Sequence, residues 1–183
     1  MQEKPSQPNG MVKFLLGVIF TLFVIFGGGY FYLKNGHPPV ATADPAFPME
    51  AQIVQVPLNA RIDREKKTAP FSATDQSNEE GARLYKRECA GCHGIPGTDV
   101  PFAKYMFPSA PQLWKKHKNG VVGVSDDEAG ETYWKISNGI RLTGMPAYQK
   151  ILSETEMWQI ALLLKNADKQ LPASVTAILD QHS

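Results

Sequence analysis

The chain contains two cysteines, and both fall in Cys89-Ala90-Gly91-Cys92-His93. Thiols three residues apart lie on one helical turn, and the adjacent histidine projects from that same turn. Each thiol can add to one vinyl group of a single porphyrin while the imidazole ligates the iron, which is the spacing of covalent c-type haem attachment. Other chemistries ask for more than is present. A thioredoxin-like redox pair needs a βαβ pattern around it, and none is evident. A structural zinc site needs four ligands with a second pair at short spacing, whereas His117 and His182 are isolated. A chance match is the remaining alternative for so short a motif.

A haem electron carrier requires a second strong axial ligand, because two protein ligands block substrate access and hold the iron geometry nearly constant between redox states. Met145 is the candidate. It lies 52 residues after His93, in Leu142-Thr143-Gly144-Met145-Pro146-Ala147-Tyr148, where Gly144 and Pro146 set the backbone on either side. Its thioether is a soft ligand that favours ferrous iron and raises the potential. Met106, in the loop before Phe107-Pro108, is the second choice, and a bis-histidine haem using His117 is a third. Met157 reads as core beside Trp158, and Met11 and Met49 lie outside the domain.

Helices must position these groups. Ser77 with Glu80, Ser125 with Glu128 and Ser153 with Glu156 each have the spacing of a capping box ahead of an amphipathic stretch. Gly139 stands where a left-handed cap would end the second stretch, and Pro172 closes off the third. A short last helix is expected over 174–181. With no alternating run of strand length, residues 77–183 read as an all-α domain.

The N-terminal part is of another kind. Residues 14–33 carry no charge and would span about 30 Å as a helix, the thickness of a bilayer core. Lys4 and Lys13 precede this stretch and Lys34 follows it, a weak argument for a cytoplasmic segment at 1–13. The competing reading is a cleaved signal peptide with its site at Ala41-Thr42-Ala43, but the apolar stretch is long and the site distant from it. Between 34 and 76 lie six of the fourteen prolines and no sustained period, which predicts a linker. Ile53, Val54, Val56, Leu58 and Ile62 are more apolar than a free tether requires. A strap on its own domain, or docking of 50–67 on a partner subunit or the membrane interface, would account for them.

Residues 77–170 resemble the class I cytochrome c family. The resemblance rests on the motif at 89–93, Ala110-Pro111-Gln112-Leu113, and the run from Ser137 to Tyr148 followed by an amphipathic helix, in that order. It implies a compact helical fold around one covalent haem c, with the first and last helices crossing where Gly81 and Tyr85 meet the closing helix near Trp158. It also implies that the Pro111 carbonyl fixes the His93 ring, that Leu113 packs on the porphyrin, and that Arg141, Tyr133 or Trp134 bonds the propionates. The stretch from Gly97 to Ser109 is longer than small members of that family need.

The resemblance further implies a domain on the periplasmic side of a bacterial cytoplasmic membrane, where such haems are attached. The expected function is one-electron transfer between respiratory partners, as an electron carrier and not an enzyme. A fixed haem subunit of a larger membrane oxidoreductase is the alternative, and a haem enzyme or gas sensor with an open distal site is a third. Over 77–183 twelve Lys and Arg balance twelve Asp and Glu, so no strong steering field arises and nucleic acid is an unsuitable partner. Lys115, Lys116 and Lys118 could form a local docking patch.

Overall fold

The computed structural model describes residues 9–117 and 120–180, and the chain divides between Phe47 and Pro48 into two compact units. The expectations placed on Lys4, Lys118 and His182 lie outside the described residues. The N-terminal unit is built on helix α1, Gly10–Asn35, with no buried residue. Its mean hydropathy of 2.2 over an 18-residue window makes it long and apolar enough to cross a membrane. A secretory signal segment meets the same criterion.

The second unit contains α2 (Glu50–Glu65), α3 (Asp75–Glu88), the single turn α4 (Ala90–His93), α5 (Ala129–Asn138), α6 (Glu154–Lys165) and α7 (Ala173–Asp180). Short 3₁₀ turns occur at Ala103–Tyr105 and Tyr148–Lys150. Among the described residues there is no β-strand, only isolated bridges between Ile95 and Thr98 and between Lys116 and Val122. The domain is all-α.

Helix starts follow the side chains that satisfy the orphan N–H groups of a first turn. For α6 the expected box forms: the Ser153 hydroxyl accepts from the Glu156 N–H at 3.3 Å, and the Glu156 carboxylate accepts from the Ser153 N–H at 2.8 Å. The other two starts differ from expectation. Helix α3 begins one turn early because the Thr74 hydroxyl accepts from the Ser77 N–H at 3.1 Å, while the Ser77 hydroxyl accepts from the Thr74 N–H at 2.7 Å. Ser77 thus closes the box it was expected to open. Helix α5 begins after Glu128 without a side-chain cap, so Ser125 does not start it.

The spine of the domain is the crossing of α3 with α6. A Cβ at Gly81 would overlap the Gln159 carbonyl oxygen and lie 3.3 Å from the Leu163 Cβ, so only glycine lets the two backbones approach. Tyr85, Trp158, Ile160 and Leu163 are fully buried around this crossing, and Val175 and Leu179 of α7 complete the core. Helix α5 joins through Tyr133, whose ring stacks on Trp158 at 4.1 Å. Stacked aromatic pairs add roughly 0.5–1.5 kcal/mol beyond the area they bury.

The segment expected to lack regular structure is helical over Glu50–Glu65 despite Pro57 within it. Ile62 is 2% exposed, and the Trp134 Nε1–H donates to Glu65 at 2.8 Å. Lys66, following α2, reaches Glu128 at 3.0 Å and Glu131 at 3.3 Å. These contacts hold the C-terminal half of α2 against α5. Ile53, Val54 and Val56 in the other half are exposed.

Candidate haem site

Helix α3 delivers Cys89 as its C-terminal cap, the Cys89 N–H bonding to the Tyr85 carbonyl at 2.8 Å. The chain then makes one more turn: the N–H groups of Cys92 and His93 both donate to the Cys89 carbonyl, at 3.1 and 3.0 Å. Both sulfurs and the imidazole are therefore carried on consecutive helical backbone. Two tyrosines bind the ends of this turn, Tyr85 donating to the Gly94 carbonyl and Tyr148 to the Glu88 carbonyl, each at 2.8 Å.

The His93 Nδ1 lies 2.8 Å from the Pro111 carbonyl oxygen. The carbonyl accepts only, so Nδ1 carries the proton and Nε2 presents its lone pair. Burial pushes the His93 pKa down, against the opposing effect of the Pro111 bond. The neutral ring is the state that ligates a metal. Two residues after Pro111, the Leu113 N–H donates to the His93 carbonyl at 3.0 Å, and Leu113 itself is buried.

Gln112 was not singled out in the sequence, yet it holds this region together. Its amide oxygen accepts from the Val100 N–H at 2.7 Å, and its Nε2 donates to the carbonyls of Cys92 at 3.1 Å and Ala110 at 3.2 Å. One side chain thereby ties the long loop after His93 back onto the cysteine turn.

The Met145 loop hangs from the end of α5. Gly139 caps that helix at φ 65°, and a Cβ there would come within 2.8 Å of the Met145 carbonyl oxygen. The Thr143 hydroxyl donates to the Ile140 carbonyl at 2.6 Å and accepts from the Met145 N–H at 3.1 Å. Met145 is half-buried, packed against the same core as Cys89, Ala90, Ile95 and Trp114. Arg141 is exposed, and Leu142 is 92% exposed with φ 62°.

The remaining candidates have other partners. The Trp134 indole has one N–H, and it is committed to Glu65. The Tyr133 hydroxyl donates to Glu154 at 3.3 Å. The His117 Nε2 lies 2.8 Å from the Gly123 carbonyl, and Lys115 pairs with Asp99 at 2.5 Å. Met157 is buried in the core. Among the described residues no three His, Cys, Asp or Glu side chains gather as a metal cluster would require.

Burial is the first cause that pushes the Cys89 thiol up to about 12, with the neighbouring Glu88 and Cys92 adding to it. Burial also raises Tyr85, the more so beside Cys89. The Trp114 indole, its ring roughly perpendicular to that of Tyr85 at a centroid distance of 5.7 Å, tempers that rise without reaching hydrogen-bond geometry. A two-thiol turn, an imidazole with Nε2 available, a half-buried thioether and apolar walls from Leu113, Ile95 and Trp114 form a donor set that fits a haem.

An all-helical domain with this set of groups between its first and last crossed helices defines a class I c-type cytochrome domain. Residues 76–164, just under half of the chain, match the family described as Cytochrome C oxidase, cbb3-type, subunit III, a family of class I c-type cytochrome domains. No curated protein matches the chain. Haem-based electron transfer is the activity that this domain implies.

Proposed function

We propose that the chain is a membrane-tethered cytochrome c with one covalent haem, passing single electrons between respiratory partners at the periplasmic face of a bacterial cytoplasmic membrane. The observation that carries the reading is the His93 ring fixed at 2.8 Å on the Pro111 carbonyl, on a turn that also bears both cysteines. Cys89 and Cys92 would hold the porphyrin by thioether bonds, and His93 and Met145 would ligate the iron. Pro111 orients the imidazole, Leu113 would pack on the porphyrin, and Arg141 would bond a propionate. Bound haem would supply a one-electron couple; the protein would supply His93 and Met145 as ligands and apolar contact from Ile95, Leu113 and Trp114, which would limit rearrangement between oxidation states.

In this reading residues 14–33 anchor the chain, 1–13 are cytoplasmic, 34–76 connect, and 77–183 form the carrier domain. The orientation follows from where c-type haems are attached, outside the cytoplasmic membrane. A tether raises the carrier's effective concentration at neighbouring complexes without any new contact. Replacing Met145 by alanine tests the ligand pair: the reduced protein should gain carbon monoxide binding and the potential should fall. An unchanged potential refutes Met145. Mass spectrometry after expression in a host that matures c-type cytochromes tests the covalent haem, and a polypeptide without added porphyrin overturns the whole reading.

One observation favours the second reading, a fixed subunit of an oxidoreductase. Helix α2 leaves Ile53 and Val56 at 61% and 70% exposure, one helical turn apart, while its other end is docked. Blue native electrophoresis with haem staining separates the two, since a fixed subunit migrates with a large complex in mild detergent.

A further inference from the structure

The stretch between Gly97 and Ser109 makes a contact that the ligands alone do not explain. Its 3₁₀ turn is anchored by Ala103, which is buried and whose carbonyl accepts from the N–H groups of Met106 and Ala110, each at 3.3 Å. Phe102, Tyr105 and Phe107 around it are exposed, whereas Met106 is half-buried. The Met106 side chain reaches the Met145 loop. A Cβ at Gly144 would lie 2.7 Å from the Met106 Cε, and among the described residues, apart from the adjoining Thr143 and Met145, nothing else comes within 4 Å of that position. Gly144 is not among the glycines with positive φ, so its backbone would accept other residues. What its missing side chain accommodates is the Met106 methyl.

We propose that Met106 is a positioning residue that braces the Met145 loop closed, so that the extra length after the haem motif sets how readily the sulfur leaves the iron. The proposal rests on the reading of Met145 as axial ligand. The physical argument is one of contact. Thr143 and Ile140 hold the loop from within, through hydrogen bonds among its own residues. Met106 bears on it from a separately anchored turn, directly beside the ligand. A thioether side chain is flexible and polarisable, and suits a brace that must follow small movements of its neighbour.

The test uses the full-length, haem-loaded protein. Two quantities are read: the far-red sulfur-to-iron charge-transfer band of the oxidised protein, and the rate at which imidazole displaces the sulfur, which is limited by loop opening. Met145→Ala must abolish the band; if it does not, the ligand reading fails whatever Met106 does. With that established, Met106→Ala should keep the band and take up imidazole about tenfold faster, the change that ~1.4 kcal/mol of lost bracing produces. Met106→Leu should restore the slow rate. Gly144→Ala, which pushes on the Met106 methyl, should alter the rate in the parent but not in a Met106→Ala background. A rate for Met106→Ala within about twofold of the parent overturns the brace while leaving Met145 as ligand. Should Met106→Ala not assemble with haem, the Leu and Gly144 variants decide: a Gly144→Ala protein with the parent's rate overturns the brace.

Discussion

The Glu65 carboxylate accepts a hydrogen bond from the Trp134 indole at 2.8 Å, joining the last turn of α2 to the middle of α5. That bond, followed by one from Arg61, holds the Glu65 pKa below the usual glutamate range. The folded protein therefore binds the proton less readily than the unfolded chain. The contribution is complete above the ordinary range and is lost as pH falls through the lowered value. Acidification should accordingly loosen α2 ahead of the rest of the domain. Hydrogen exchange of the α2 amides against pH checks this, and Trp134→Phe should weaken the dependence.

Ile62 anchors the same helix but does not belong to the main core cluster. Ile62→Ala removes a side chain at a site 2% exposed, a change that costs about 2–5 kcal/mol where packing is continuous. Because α2 lies beside the core, the loss should appear as local opening. Faster exchange and faster proteolysis over 50–67 are expected, with the α3 and α6 amides unaffected. Equal acceleration in all three helices would show that α2 is part of the global unit.

Gly81→Ala sets two effects against each other. Alanine improves helix propensity by about 1 kcal/mol. Its methyl group, however, meets the backbone carbonyl of Gln159, which cannot move aside as a flexible side chain can. Overpacking costs typically 1–3 kcal/mol and more where backbone must shift, so net destabilisation is expected. Denaturant unfolding of the haem-loaded protein measures it, and a variant as stable as the parent would mean that the helices separate freely there.

Gln112→Leu keeps much of the volume and deletes the bonds to Val100, Cys92 and Ala110. Each lost bond is worth about 0.5–1.5 kcal/mol net, so about 2–4 kcal/mol of stability should be lost. The effect should concentrate in the loop after His93. The potential should move little, since Pro111 still holds the imidazole from its own backbone. A large change of potential with unchanged stability would instead place Gln112 in control of the iron.

The parts of the site that were legible in sequence are those written in local spacing. Cys89, Cys92 and His93 share one turn, Ser153 and Glu156 close their own box, and Gly139 ends α5 at the expected position with positive φ, although its ψ of −177° is extended and not that of a left-handed helical cap. Thr74 was missed because Ser77 offers an equally good cap three residues later, and the choice falls to the residue that gives α3 its extra turn. Helix α2 was missed because Pro57 argues against a helix and its apolar residues do not share one face: Leu58 and Ile62 turn inward, Ile53 and Val56 outward. For Gln112, quoted only as part of a motif, and Met106, weighed only as a ligand, local spacing does not reveal the contacts they make. Their partners are distant in sequence, and only the folded chain brings Gln112 to Cys92 or Met106 to Gly144.

The close approach at Gly81 has a wider meaning for how such a domain can diversify. The segment bearing the thiols and the segment that follows the thioether are both mounted on one rigid cross, so the polypeptide strung between them is free to lengthen without shifting either mount. An insertion between residues 98 and 109, clear of Ile95, Pro111, Leu113 and Trp114, changes what lies over the site while the crossing of α3 with α6 keeps its spacing. New coverings, and with them new docking preferences, can thus arise on an unaltered frame.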